Sequence, residues 1–99
     1  MPTPEVGRLV YSKAGRDKNR YFVIVEIIDA DYVLIADGSL RKLEKLKKKK
    51  LKHIQLLSKI VEPVKEKLEK GEKLTNKQLR RFIQAEIGED GSLKNKEVE

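Results

Sequence analysis

Residues 21–28, YFVIVEII, decide the fold. Every residue in this run except Glu26 is β-branched or aromatic, and the run is short for a helix, which favours a buried strand. A strand with one wet face alternates apolar and polar residues, whereas here both faces are apolar. The pattern therefore predicts a strand that other parts of the chain cover on both sides.

Shorter apolar runs on either side predict further strands. Residues 6–13 have the β-rich centre LVY, and residues 32–36, YVLIA, follow a polar break at 29–31. Asp37-Gly38 is a hairpin-turn signal, and we expect further strand segments at 39–46 and 51–57. Four or five short strands within about 50 residues predict a small, strongly bent antiparallel barrel.

The second half of the chain carries the signals of two helices. Pro63 suits the first turn of one helix, and Gly71 is well placed to end it. Thr75 and Gln78 then fit a capping box. An apolar stripe with helical periodicity follows and ends at Gly88; its members are Leu79, Phe82, Ile83 and Ile87.

We expect this stripe to pack on the barrel, because residues 21–28 need cover on both faces. Dimerisation through the same stripe is the alternative. The expected organisation is a basic barrel at 1–57, a helical extension at 58–88 and a flexible polar tail at 89–99.

The charge of the chain is high and unevenly distributed. Charged residues make up 39% of the 99 residues, against about 25% in typical soluble domains. Of the net charge of +7, residues 1–57 contribute +6, with 13 Lys and Arg against 7 Asp and Glu. A concentrated basic region is typical of proteins that bind a polyanion, although a solubilising surface would also account for net charge alone.

Catalytic and metal-binding chemistry finds little support. The chain has no cysteine, and its single histidine, His53, lies in a basic run; a conventional zinc site is therefore not expected. Asp29 and Asp31 flank a turn, where short carboxylates commonly bond the backbone. We expect neither an enzyme nor a cofactor. No stretch reaches the roughly 20 apolar residues of a membrane span, so we expect a cytoplasmic protein.

The segment at residues 14–20, AGRDKNR, is the first candidate binding element. Gly15 permits positive φ, and Asn19 is the non-glycine residue that best tolerates the left-handed region. Turn geometry alone would also explain these two residues. A tight loop that displays cations and backbone N–H groups suits phosphate; its cations, with the lysine just before it, are Lys13, Arg16, Lys18 and Arg20.

The second candidate element is the basic segment 41–52, which contains KKKK at 47–50. Such a run is typically a flexible solvated segment or a tract that binds nucleic acid non-specifically. Lysines are point charges, so the run indicates affinity more than readout. Tyr11, Tyr21 and Tyr32 would stack on bases if exposed, but packing in or beside the core is the favoured interpretation.

Residues 6–25, VGRLVYSKAGRDKNRYFVIV, resemble the KOW motif, in which a strand and a loop with a signature glycine precede an apolar strand. Gly15 matches that glycine. With residues 29–35 and 52–54, the resemblance is closest to RNA-binding proteins similar to the large-subunit ribosomal protein "fourteen-e". It covers roughly residues 5–57. The family commonly has a second glycine where this chain has Asn19.

The resemblance implies an SH3-like barrel that binds structured RNA, ribosomal RNA above all. The expected fold is thus mainly β plus α, an SH3-like antiparallel barrel followed by two short C-terminal helices packed on it. In the family the loop between the first two strands contacts RNA. The predicted RNA-binding residues are Lys13, Gly15, Arg16, Lys18, Asn19, Arg20, Arg41, Lys42, Lys47, Lys48, Lys49, Lys50, Lys52 and His53.

An alternative function is a KOW or SH3-like protein-interaction module that binds ribosomal or transcription proteins. This function would need an exposed apolar patch around Leu43, Leu46 and residues 79–87. On either interpretation we expect a protein of translation or transcription that is monomeric when free. The resemblance adds association with the ribosome to the expected location.

Overall fold

The apolar run at residues 21–28 becomes the central strand of a five-stranded antiparallel sheet. The computed structural model describes residues 2–87. Its elements, in chain order, are β1 (Arg8–Ser12), β2 (Tyr21–Ile27), β3 (Tyr32–Ala36), β4 (Lys47–Lys50), a 3₁₀ turn (Leu51–His53), β5 (Ile54–Ile60), α1 (Glu62–Lys70) and α2 (Asn76–Glu86). The strand order is β4-β3-β2-β1-β5, so β4 and β5 form the two edges.

Alternate residues of β2 enter two different apolar clusters. Phe22 and Ile24 pack with residues of β1, β3 and β5 in one cluster, on the inner side of the curved sheet. Val23 packs in the other cluster with the helix residues Leu79 and Ile83. The side chains of Phe22, Val23 and Ile24 are fully buried. The prediction that this strand is covered on both faces is therefore confirmed for residues 22–24, whereas Ile27 and Ile28, at its end, are 41% and 42% exposed.

Two irregularities in strand pairing accompany the curvature of the sheet. The register shifts in β2 between Ile24 and Glu26, where it pairs with β3, and in β1 between Arg8 and Val10, where it pairs with β5. Such bulges bend a strand and increase its twist. The result is a small barrel-like β plus α fold, which confirms the predicted fold class.

Helix α1 has both ends, and helix α2 the start, that the sequence predicts. Pro63 lies in the first turn of α1, and Gly71 ends the helix with φ +71°. At α2, the Thr75 hydroxyl accepts the Gln78 N–H while the Gln78 side chain accepts the Thr75 N–H, completing the capping box. The apolar stripe of α2 packs on the sheet within the same chain. Gly88 and the predicted tail lie outside the described residues.

The predicted strand at 39–46 is wrong. Asp37 Oδ1 accepts the N–H groups of Ser39 and Arg41, and the Leu43 N–H donates to Asn76 Oδ1. These donors are therefore used in a turn and in contact with α2, so they do not form a strand ladder. The strand that follows β3 is instead β4, made of the four lysines at 47–50.

The last strand also differs from its prediction at 51–57. Residues 51–53 form the 3₁₀ turn, and β5 continues to Ile60. The Arg8–Ile60 pairing extends β5 beyond the expected end of the barrel at 57. Val61, the N-cap of α1, follows at once and is buried in the cluster shared with α2.

Gly38 sets the distance between the barrel and α2. Its φ is +80°, and a Cβ added there would lie 2.4 Å from the backbone oxygen of Asn76. The Gly38 carbonyl also accepts a hydrogen bond from Arg80 Nη1 at 2.6 Å. Any side chain at this position must displace the start of α2.

Gly38→Ala is predicted to reduce the free energy of unfolding by about 3 kcal/mol, because it combines left-handed strain with overpacking. Gly71→Ala is the matched control, since Gly71 has φ +71° and no neighbouring atom within 4 Å of an added Cβ. The Gly71→Ala variant has only the backbone strain, so its free energy of unfolding should fall by about 1 kcal/mol. Urea unfolding followed by circular dichroism measures both; equal losses would contradict the packing argument.

Candidate nucleic-acid interface

The loop between β1 and β2 is held by its own backbone. The Asn19 N–H donates to the Ser12 carbonyl at 2.9 Å, and the Lys18 N–H donates to the Gly15 carbonyl at 3.2 Å. Gly15 has φ +87° and Asn19 has φ +69°, as their residue types predict. Tyr11 donates its hydroxyl to Asn19 Oδ1 at 3.0 Å. The loop is thus a defined turn.

Asp17, the acidic residue of this loop, points inward. Its side chain is only 1% exposed. Oδ1 accepts from Lys49 Nζ at 2.7 Å and from the Ser12 hydroxyl at 3.2 Å. Lys49 Nζ also donates to the Ala14 carbonyl at 2.8 Å. One buried ion pair therefore joins the β1–β2 loop to β4.

The register of β4 explains why Lys49 needs this partner. Lys49 lies opposite Val33 of β3, and directly opposed residues share a face of the sheet. Val33 belongs to the inner cluster, so the Lys49 side chain starts on the buried face. An ammonium in such a position requires an anion, and Asp17 supplies it.

The environment of Asp17 keeps it ionised. Burial acts most strongly on the Asp17 pKa and raises it, but the hydrogen bond and charge of Lys49, with further hydrogen bonds from the loop backbone and Ser12, outweigh burial. The net result is a pKa below the ordinary value of 3.8. The carboxylate therefore stabilises the fold at neutral pH.

Two further contacts fix the segment before β4 against the same loop. Arg41 Nε lies 3.6 Å from Asp17 Oδ2. Both atoms are buried without a hydrogen-bond partner, so their interaction is one of charge. Arg20, at the end of the loop, places its Nη2 3.4 Å from Asp37 Oδ2. The other carboxylate oxygen of Asp37 accepts the backbone N–H of Arg41. Acidic residues thus connect the two predicted basic elements.

The structure brings the predicted residues of both elements together, with different exposure. Lys49 is buried, and Arg41, Lys47 and Lys50 are partly buried. The remaining ten predicted residues are exposed: Lys13, Gly15, Arg16, Lys18, Asn19, Arg20, Lys42, Lys48, Lys52 and His53. The Lys13 N–H donates to the His53 carbonyl at 2.9 Å, which joins the 3₁₀ turn to the start of the loop.

Tyr32 lies under two of the β4 lysines. Lys48 Nζ is 4.6 Å and Lys50 Nζ 5.7 Å from the centre of its ring, within the range of cation–π attraction. Tyr11 and Tyr21 pack on each other at 5.0 Å. All three tyrosines are partly buried, which agrees with packing beside the core.

Sequence reasoning missed Asp17 and Asp37 as organising residues. The available signal was an acidic residue between cations in a short loop, since such a carboxylate is well placed to pair inside its own segment. Within residues 2–87, no group of acidic residues or histidine is arranged to hold a metal ion. No helix among these residues is long and apolar enough to cross a membrane.

The leucines and isoleucines named for a protein-interaction patch are buried or partly buried, although Leu40, between β3 and β4, is 46% exposed. Leu79, Ile83 and Ile87 are buried, and Leu43 and Leu46 pack against them. These side chains are used to join the helices to the barrel.

Asp17→Asn is predicted to lower the free energy of unfolding at pH 7 by about 3 kcal/mol, because it leaves Lys49 buried without an anion. Asp17 has a lowered pKa in the folded state, so its stabilisation is present above about pH 4 and is lost as the pH falls through the folded pKa. The difference between variant and parent should therefore shrink in acid.

Asp29→Asn is the control. Asp29 is exposed, and its Oδ1 accepts the N–H groups of Asp31 and Tyr32, a role that asparagine can take over. Its effect should stay within about 0.5 kcal/mol. Chemical denaturation between pH 2 and pH 7 measures both variants; a loss for Asp17→Asn that does not change with pH would contradict the ionic interpretation.

Three curated relatives of the chain carry the same name. It is 39% identical over 62 residues to the large ribosomal subunit protein eL14 of Staphylothermus marinus, covering 63% of this chain and 65% of the relative. With the same protein of Hyperthermus butylicus it is 42% identical over 57 residues, 58% of each chain. With that of Desulfurococcus amylolyticus it is 36% identical over 55 residues, 56% of this chain and 57% of the relative.

No family model matches the chain. In each of these three alignments, the chain spans less than two thirds of the relative's length. All three relatives carry the name of the branch that the sequence resembles. The predicted resemblance is therefore confirmed: over more than half of its length, the chain is similar to the large ribosomal subunit protein eL14.

Proposed function

We propose that the chain binds structured ribosomal RNA in the large subunit, through the β1–β2 loop and the basic segment 41–52. Its similarity to proteins named large ribosomal subunit protein eL14 supports this function. The charge supports it too, since residues 1–57 carry +6 of the net +7. The partners are ribosomal RNA and neighbouring ribosomal proteins. The protein is cytoplasmic and associates with the ribosome. When it is free it is a monomer, and it has no catalytic role.

The observation that carries the proposal is the buried ion pair that joins two basic segments. The β1–β2 loop and β4 are separated by more than 25 residues of sequence, yet the Asp17–Lys49 ion pair holds them together. Exposed cations of both segments therefore face one partner. Phosphates along an RNA backbone offer matching negative charge.

The cations of this surface divide into two kinds. Arg16 and Lys18 are exposed on a hydrogen-bonded turn, so they position phosphates. Lys48 lies on an edge strand and contacts the face of Tyr32; it adds affinity without base specificity, as a point charge does. Lys49 is buried and contributes indirectly, because its contacts with Asp17 and Ala14 hold the β1–β2 loop in place.

Arg16→Ala combined with Lys18→Ala is predicted to weaken binding to an in vitro transcribed large-subunit ribosomal RNA. Each lost phosphate contact should reduce the slope of log affinity against log salt by about one unit. Filter binding or fluorescence anisotropy across a salt series measures the slope.

Lys73→Ala combined with Arg81→Ala is the matched control. It removes the same two positive charges from exposed positions outside the proposed surface. Its slope should stay near that of the parent protein. Equal effects of the two double variants would show that net charge alone drives binding, and would contradict the proposed surface.

Asp17→Asn is predicted to weaken binding to the same RNA even though it raises the net charge by one unit. Simple attraction to a polyanion would strengthen binding, whereas loss of the loop's shape separates the two basic segments. Affinity is measured at a temperature where circular dichroism shows the variant folded. Unchanged or tighter binding would contradict the role given to the Asp17–Lys49 pair.

A further inference from the structure

A cavity of about 320 Å³ lies between the barrel and α2. Its walls come from the start of β2, from the turn after β3 and from the second half of α2. Its volume is at the lower end of the range of small-ligand sites, about 300–1,000 Å³. It is open to solvent on one side and joins the proposed RNA surface at Arg20.

The open side of the cavity is basic. Arg20 and Arg80 both line it, together with one acidic residue, Asp37. Arg20 contacts Asp37 at 3.4 Å, and Arg80 Nη1 donates to the Gly38 carbonyl. A guanidinium has several N–H donors in a planar fork, so both arginines keep donors for a phosphate while these contacts hold them in place.

The inner wall of the cavity is apolar. It is formed by Tyr21, Ile83 and Ile87, of which the two isoleucines are buried. Unpaired bases stack on aromatic side chains such as tyrosine, and apolar side chains also line the pockets that take an extruded base. Gln84 also lines the cavity and is exposed, and its amide can both donate to and accept from a base edge.

We propose that this cavity takes one unpaired nucleotide of the bound RNA, with its base against the apolar wall and its phosphate between Arg20 and Arg80. The inference rests on the proposed function and extends it from phosphate binding to recognition of a bulged or looped-out nucleotide. Arg20 belongs to both surfaces, so an RNA strand that crosses the β1–β2 loop reaches the cavity directly.

The test compares two short RNA hairpins that differ by one bulged adenosine. The full-length protein is expected to bind the bulged hairpin about tenfold more tightly than the fully paired one, the scale of one base stack on a protein side chain. Replacing the bulged base with 2-aminopurine reports its environment by fluorescence. Binding of the parent protein should change that fluorescence, and the change should be lost when a variant removes the phosphate-binding arginine of the cavity.

Arg80→Gln should remove most of this tenfold preference, whereas Arg81→Gln, the neighbouring exposed charge on α2, should leave it intact. Gln84→Trp is a second variant, which adds bulk to the cavity wall while keeping both arginines. It should also abolish the preference and leave binding to the paired hairpin unchanged. Circular dichroism confirms that each variant is folded.

The outcomes separate this inference from the proposed function. If the parent protein binds neither these hairpins nor ribosomal RNA, the proposed function fails and this inference with it. Equal binding to both hairpins keeps the RNA function and overturns the nucleotide site, because the unpaired base then adds nothing to the affinity. Equal effects of Arg80→Gln and Arg81→Gln also overturn it.

Discussion

The candidate interface depends on one buried ion pair. Asp17 and Lys49 meet at 2.7 Å with side chains that are 1% and 8% exposed. Neither charge is tolerable alone at that depth, because removing one partner leaves the other desolvated. The pair therefore forces the β1–β2 loop and β4 to close together. The exposed cations of both segments acquire a fixed relative position as a consequence.

The same pair shows why a basic loop contains an acid. A loop of cations alone would be repelled by the lysines of β4. Asp17 replaces that repulsion with attraction on the inner side, while Arg16 and Lys18 on either side of it stay exposed. The segment thus has two electrostatic faces, one turned to its own fold and one turned to solvent. The loop therefore contributes to binding through the fixed position of its cations as well as through their charge.

Much of the fold was predictable because the decisive signals are local. The apolar run at β2, the capping box at Thr75 and the stop at Gly71 each act within a few residues, and all three predictions are confirmed. The segment 39–46 was predicted wrongly because its conformation depends on contacts across the chain, such as Leu43 with Asn76. Local pattern cannot show that a distant helix supplies the acceptor.

The site divides in the same way between local and distant signals. The composition of residues 47–50 predicted a solvated basic tract, but their pairing with β3 makes them an edge strand. Lysines on an edge discourage pairing with another chain, so β4 keeps its outer hydrogen-bonding groups from recruiting a second sheet. Only the register with Val33 turns Lys49 inward. Lys49 thereby stabilises the position of the β1–β2 loop, while Lys48 remains exposed and can contact a polyanion.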